Sequence, residues 1–304
     1  FFSFTIIHTI IMICSLHESH IISKMCLLFV LLLIYFSLHC ETSLRIYGGR
    51  DAARGEFPYV VRIEEHITYF FNRKTERTIW QRCTGAALTP SWILSAAHCV
   101  EEADFNNKNK QLVARYNSYF PKYLGETRPI LEAKIHPNFQ EIYHDDDVVQ
   151  QFENFFKDDI CLFRSEGIMV DRYGKLSPVD YRSLTGHEAY TLGFGSTNAS
   201  EYQKPLQVLK GMLYDCIKDH NSRLIYMLCL MPQCGIQTTI CGGDSGGPVV
   251  HSSGIVGVNS ASEGDCNEYS TSLNVTTGTG ASVIATVSGS FDWISNIVVN
   301  KTSN

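Results

Sequence analysis

The chain is short of charge. Asp, Glu, Lys and Arg make up 18% of its 304 residues, and the net charge is -6. No basic block is present, so the electrostatic footprint of a nucleic-acid-binding protein is missing. The only single-sign cluster, Asp145-Asp146-Asp147 after His144, reads as a solvated loop rather than a metal site. Long apolar runs are scarce too. The run 27–36 holds ten apolar residues, which is too short to cross a bilayer and suits the core of a secretory leader. Helical periodicity is nearly absent, and no internal repeat or low-complexity linker occurs. Only Phe291, Ile294, Ile297 and Val298 recur at helical spacing, which predicts one amphipathic helix at the tail.

Cysteine, by contrast, is abundant. Eleven cysteines behind a hydrophobic leader point to an oxidising, extracellular compartment. Residues 1–24 lack an initiating methionine and read as non-native upstream sequence, with Met25 as the start and 25–40 as the signal peptide. The rival is a signal-anchor over 1–13, but His8 breaks that stretch and His17, Glu18 and His20 follow it.

With 44% hydrophobic residues, the remainder can bury the core of one large or two small domains. Short β-type runs at 59–63, 85–88, 92–95, 111–116, 130–135 and 160–163 are followed by others at 188–192, 206–213, 227–230, 248–251, 255–259 and 282–287. Twelve short strands separated by turn residues predict an all-β chain of two units. The link between them falls near 166–183, where Gly167, Gly174 and Pro178 interrupt any regular element.

The stretch Cys241-Gly242-Gly243-Asp244-Ser245-Gly246-Gly247-Pro248 is organised around something other than packing. Four glycines flank Asp244 and Ser245, so the backbone can turn tightly, expose a hydroxyl and aim N–H groups at one point. Ser245 is the candidate nucleophile. It needs a base, and histidine suits because its pKa lies near neutrality. His98, in Trp92-Ile93-Leu94-Ser95-Ala96-Ala97-His98-Cys99, has the most distinctive setting of the eleven histidines, although alone it would read as a core residue. The orienting acid is Asp159 or its neighbour Asp158, at the start of the apolar segment Ile160-Cys161-Leu162. Taken singly, either is a strand-capping carboxylate.

LTPSWILSAAHC, DDICLF and CGGDSGGP, in that order, resemble the chymotrypsin-like (trypsin-like) secreted serine proteases, and the similarity runs from Ile46 to the final helix. That family is also the standard worked example of a Ser-His-Asp triad. The resemblance implies two six-stranded antiparallel β-barrels, about 46–165 and 184–304, with the active site between them and a C-terminal helix. It implies that Ser245 attacks the scissile carbonyl, that His98 acts as base and then acid, and that Asp159 fixes its tautomer. The N–H groups of Gly243 and Ser245 would form the oxyanion hole. Ser260 would support Asp159 and begin the edge that binds substrate backbone. Residues 41–45 would be an activation propeptide, cut after Arg45 by a trypsin-like protease so that the Ile46 amine pairs with Asp244. Tyr47 departs from the usual small β-branched residue there.

Further expectations follow from the resemblance. The specificity pocket would be set by Thr239, Ser262 and Ser282; a neutral Thr239 and two side chains on the walls predict small or apolar P1 residues. Glu263 or Asp265 reaching inward would restore a basic preference. Disulfides would join Cys83 with Cys99, Cys216 with Cys229 and Cys241 with Cys266, leaving Cys161 and Cys234 over: free, bonded to each other or, for Cys234, intermolecular, with a buried thiol favoured for Cys161. Partners would be protein or peptide substrates, the activating protease and protein inhibitors, acting on a monomer free of the membrane once the signal is removed. No cofactor and no metal is implied. Segments 64–81 and 136–159 are longer than the family norm and read as loops flanking the cleft. Asn198, Asn274 and Asn300 lie in glycosylation sequons. The competing class is a catalytically weak homologue that works by binding.

Overall fold

The computed structural model describes residues 49–71, 74–101, 105–118, 125–143, 154–195, 205–216, 227–232, 240–262 and 282–300. Arg45, Ile46, Asp145–Asp147, Cys234, Thr239, Glu263, Asp265 and Cys266, together with the leader and two sequon asparagines, Asn198 and Asn274, lie outside them.

The strands, in order, are β1 (Arg50–Asp51), β2 (Val60–Phe71), β3 (Lys74–Ala87), β4 (Trp92–Ser95), β5 (Lys110–Tyr116), β6 (Glu126–Ile135), β7 (Gln140–Tyr143), β8 (Asn154–Lys157) and β9 (Cys161–Ser165). There follow β10 (Glu188–Gly193), β11 (Gln207–Tyr214), β12 (Met227–Pro232), β13 (Pro248–His251), β14 (Gly254–Ser262) and β15 (Ser282–Thr286), then one α-helix, α1 (Phe291–Asn300). Strands β2-β3-β4-β9-β6-β5 close into one barrel. In the second sheet β11 pairs with both β10 and β12, so β11-β10-β13-β14-β15-β12 also forms a closed ring of six. All twelve barrel strands correspond to the short apolar runs of the sequence.

Closing so few strands requires sharp local bending, which bulges supply. Register shifts occur at Ile63/Glu64 and Ile130/Glu132 in the first barrel, and at Val249/Val250 and Asn259/Ala261 in the second. The last leaves Ser260 as the extra residue, since Asn259 pairs with Ile284 and Ala261 with Val283. Each barrel is filled by residues such as Val61, Leu94 and Phe163 in one and Ala189, Leu213 and Ile284 in the other, all fully buried.

Three departures from the sequence reading concern the first half of the chain. Segment 64–81 is not a loop: β2 and β3 remain paired from Val60↔Ala86 out to Phe71↔Lys74, giving a long hairpin. Likewise β7 and β8 pair within 136–159. The short β1, inside the stretch assigned to the first barrel, pairs with β11 of the second. The linker 166–187 carries no strand, only a 3-10 turn at Tyr181–Leu184 whose first N–H groups are capped by Asp180 through Arg182 N (2.9 Å). Helix α1 buries Ile294 and sets Trp293 edge-on to His136, with ring centroids 5.0 Å apart.

Where β2 leaves the apolar core its covered face turns polar, with Arg62, Glu64 and His66 all buried. Arg115 donates to Glu64 through Nε (2.7 Å) and Nη2 (2.9 Å), and His66 Nε2 donates to Glu64 Oε2 (2.9 Å) while its Nδ1 accepts from Arg77. Burial alone would raise the Glu64 pKa, but the hydrogen bonds from His66 and Arg115 and the charges of Arg62 and Arg115 outweigh it and hold the carboxyl at about 2.

Candidate active site

β4 is buried throughout, and the chain then enters a 3-10 turn at Ala97–Cys99. Cys99 is tied to Cys83 on β3 by a disulfide, so His98 sits on a stapled turn. The acid comes from the turn that leads into β9. Asp159 is fully buried and accepts from His98 N (2.9 Å), His98 Nδ1 (2.7 Å) and Ser260 Oγ (2.6 Å). A desolvated carboxylate is tolerated when it is this well supplied with donors. Because Nδ1–H donates to Asp159, Nε2 is left with its lone pair and can accept a proton. The neighbour Asp158 has φ +49 and does another job: its carbonyl accepts from Ile160 N (2.7 Å) at the turn into β9.

The bulge in β14 explains Ser260. As the unpaired residue it is released from the ladder, and its hydroxyl reaches Asp159 across the gap between barrels. Pairing of β14 with β13 ends at Pro248↔Val258, so residues 260–262 pair with no strand on that side among the described residues.

Three tethers bring Ser245 to this assembly. Its carbonyl accepts from Thr84 N (2.8 Å), next to the stapled Cys83. Gly246 N donates to Asn259 O (2.8 Å), next to Ser260. Gly246 also lies so close to β4 that an added Cβ would sit 2.0 Å from Ser95 Oγ and 2.7 Å from Ala96 N. At φ +75 this position needs glycine on both counts. Asp244, fully buried, accepts from Gly195 N (2.6 Å) and Cys241 N (2.8 Å). Its carboxylate occupies the space where a Cβ on Gly193 or Gly195 would fall, at 2.0 and 2.2 Å.

Among the described residues the N–H groups of Gly243 and Ser245 donate to no protein acceptor, although Gly243 is buried. Two unpaired donors on either side of Asp244 in one turn are the kind of group that can stabilise an oxyanion. No hydrogen bond joins Ser245 Oγ to His98, whose ring is stacked on Phe156 of β8 with centroids 4.8 Å apart and planes at 15°. Such contacts commonly tighten only when substrate arrives.

Ser262 and Ser282 form a cross-strand pair between β14 and β15, and the buried Ser282 Oγ has no hydrogen-bond partner. Thr239, the third residue expected there, lies outside the described residues. The Cys216–Cys229 disulfide is present. Cys241 is disulfide-bonded, and the Cys266 expected as its partner is not among the described residues. Cys161 is a free, buried thiol that donates to Ala96 O (3.0 Å); burial first, then the Asp159 charge, pushes its pKa well up. Cys83, His98 and Cys99 cluster at distances a metal could span, but both sulfurs are spent in the disulfide.

Several residues of the site were not singled out by the sequence reading: Thr84, Asn259, Thr191 and Phe156. Polar residues in strands read as exposed, and only the closed barrels put the first three inside. Phe156 lay within a segment taken as loop.

Comparison with known proteins identifies the family. The family model described as Trypsin matches residues 46–283. Kallikrein-2 of Homo sapiens is 28% identical over 225 residues, covering 71% of this chain and 78% of the relative. Tonin of Rattus norvegicus is 27% identical (73% and 81% covered), and granzyme M of the same species 28% (74% and 81%). In fold the chain is similar to the crystal structure of a scabies mite inactivated protease paralogue, with a TM-score of 0.55 at 17% identity, covering 83% of this chain and 98% of that one. With that family model matching most of its length, the chain belongs to the trypsin family of serine endopeptidases.

Proposed function

We propose that this protein is a secreted serine endopeptidase made as a zymogen. The observation that carries the reading is the continuous chain Ser260 Oγ, Asp159, His98 Nδ1, with bonds of 2.6 and 2.7 Å, set beside a nucleophile loop with two orphan N–H groups. Ser245 Oγ attacks the scissile carbonyl while His98 Nε2 takes its proton. The carbonyl oxygen becomes an oxyanion between the N–H groups of Gly243 and Ser245, an interaction in which each donor contributes about 3 kcal/mol. His98 then protonates the departing amine, leaving an acyl-enzyme that water hydrolyses by the same steps reversed. Substrate backbone adds as a strand along 260–262, which pair with no strand on that side among the described residues.

Removal of residues 25–40 as signal and cleavage after Arg45 complete maturation, the Ile46 amine pairing with buried Asp244 to hold the loop. A buried carboxylate lacking its cation is costly, so this pairing favours the active shape. Thr239, Ser262 and Ser282 give a pocket for small or apolar P1 side chains. No described helix is long and apolar enough to cross a membrane.

A second reading, a catalytically weak homologue acting by binding, draws on the missing Ser245 to His98 hydrogen bond and the narrowed pocket wall. Peptide substrates that differ only at P1, offered to protein cut after Arg45, separate the two. Hydrolysis after Ala, Val or Leu and none by uncut protein is expected. Strong cleavage after Arg or Lys would overturn the P1 preference, and no cleavage of any peptide would favour the binder.

A further inference from the structure

The loop bearing Ser245 is held from beneath by polar side chains that take no part in the chemistry above. Asn259 and Thr191 are both fully buried, on β14 and β10. Thr191 Oγ1 donates to Asn259 Oδ1 (2.5 Å), and the other end of the amide faces two carbonyls, Asp244 O (3.1 Å) and Leu192 O (3.4 Å). Two acceptors there require the NH2 group, so the orientation of the amide is dictated by its neighbours. From the first barrel, Thr84 Oγ1 donates to Gly243 O (2.7 Å) and accepts from Phe194 N (3.2 Å), and the Thr84 backbone N–H donates to Ser245 O (2.8 Å). Three successive carbonyls, of residues 243, 244 and 245, are therefore fixed by two residues from opposite barrels.

The consequence lies on the far side of the peptide plane. The Asp244–Ser245 peptide is planar, so fixing its oxygen, which also accepts from Gly247 N (2.9 Å), sets the direction of the Ser245 N–H. Burying an amide and a hydroxyl costs free energy unless their bonds are made, and an apolar pair would fill the same interior volume. Position 259 also leaves no room for error, since Gly247 passes so near that a Cβ would lie 3.0 Å from Asn259 Nδ2 and 2.0 Å from Leu192 O.

We propose that Asn259, oriented by Thr191, and Thr84 are positioning residues of the oxyanion hole: Asn259 aims the Ser245 N–H through the carbonyl of Asp244, and Thr84, from the other barrel, fixes the peptides on either side of it. This rests on the hydrolase reading of the site. The test compares N259L, T191V and T84V with T191S and T84S, all cut after Arg45. It reads kcat and KM on a peptide ester, inhibition by a peptide aldehyde whose serine adduct carries the oxyanion, and the melting temperature. The expected result is a kcat about tenfold or more below the parent in N259L, T191V and T84V, as small misplacements in a catalytic site produce. KM stays within about twofold, aldehyde affinity weakens by the same factor as kcat, and the serine variants recover most of the loss. Lower melting temperatures with kcat and aldehyde affinity unchanged would overturn the proposal, leaving these residues as scaffold. If N259L does not fold, T191V and T84V decide. A parent that neither hydrolyses the ester nor binds the aldehyde overturns the hydrolase reading itself, an outcome separate from unchanged variants of an active parent.

Discussion

Gly246 joins the nucleophile to the histidine strand. Its φ of +75 and its approach to Ser95 and Ala96 put the residue after Ser245 against the wall that leads to His98. Gly246→Ala is expected to destabilise the protein by about 3 kcal/mol, combining a left-handed backbone with overpacking, and to abolish activity. Gly55→Ala is the control, because Gly55 has φ +71 but nothing within 4 Å of an added Cβ. It should cost only about 1 kcal/mol, the backbone strain alone. Equal losses in thermal unfolding for the two variants would remove close approach as the reason for Gly246. The spacing CGGDSGGP made the need for glycine legible in the sequence. It did not say what each glycine makes room for, because Ser95 and Leu192 are distant in the chain and only strand pairing brings them near.

Among elements, the β2–β3 hairpin has its own electrostatics. Glu64 is held at about 2 against an unfolded value near 4.5, so the folded state binds fewer protons over that interval. The stability it contributes is full above pH 4.5 and is lost as pH falls toward 2. Glu64→Gln is expected to cost about 3 kcal/mol at neutral pH, since it leaves Arg115 and Arg62 without their carboxylate. Urea unfolding at stepped pH should give a flatter acid limb in the variant than in the parent, and parallel limbs would contradict the assignment. This hairpin was not legible beforehand. Charged and polar residues such as Glu64 and His66 resemble a solvated loop until pairing with β5 buries them. The twelve barrel strands were legible because their apolar runs match the length and spacing of short buried strands. The positioning residues were not: Thr191 and Asn259 are polar residues within strands, and a single sequence gives no sign that they bond to each other.

For the whole molecule, the two barrels contribute complementary parts. The first supplies His98, Asp159 and Thr84, and the second supplies Ser245, Ser260 and Asn259, so the site exists only where they meet. Chain order made the triad residues recognisable through three short motifs. The supporting residues come from strands far apart in sequence, which is why they emerged only with the fold. The Cys83–Cys99 staple, closing a separation of 16 residues, adds about 3 kcal/mol in the chain-entropy account and keeps His98 in register with Asp159.

The central claim is that Ser245 is a nucleophile activated by His98 in the matured protein. Its most direct test is intact-mass measurement, with peptide mapping, after a peptidyl phosphonate bearing an apolar P1 residue is added to protein cut after Arg45. A single adduct on Ser245, absent from Ser245→Ala and from uncut protein and strongly slowed in His98→Ala, is the predicted result. No adduct on the cut parent, or one of equal yield in Ser245→Ala, would contradict it.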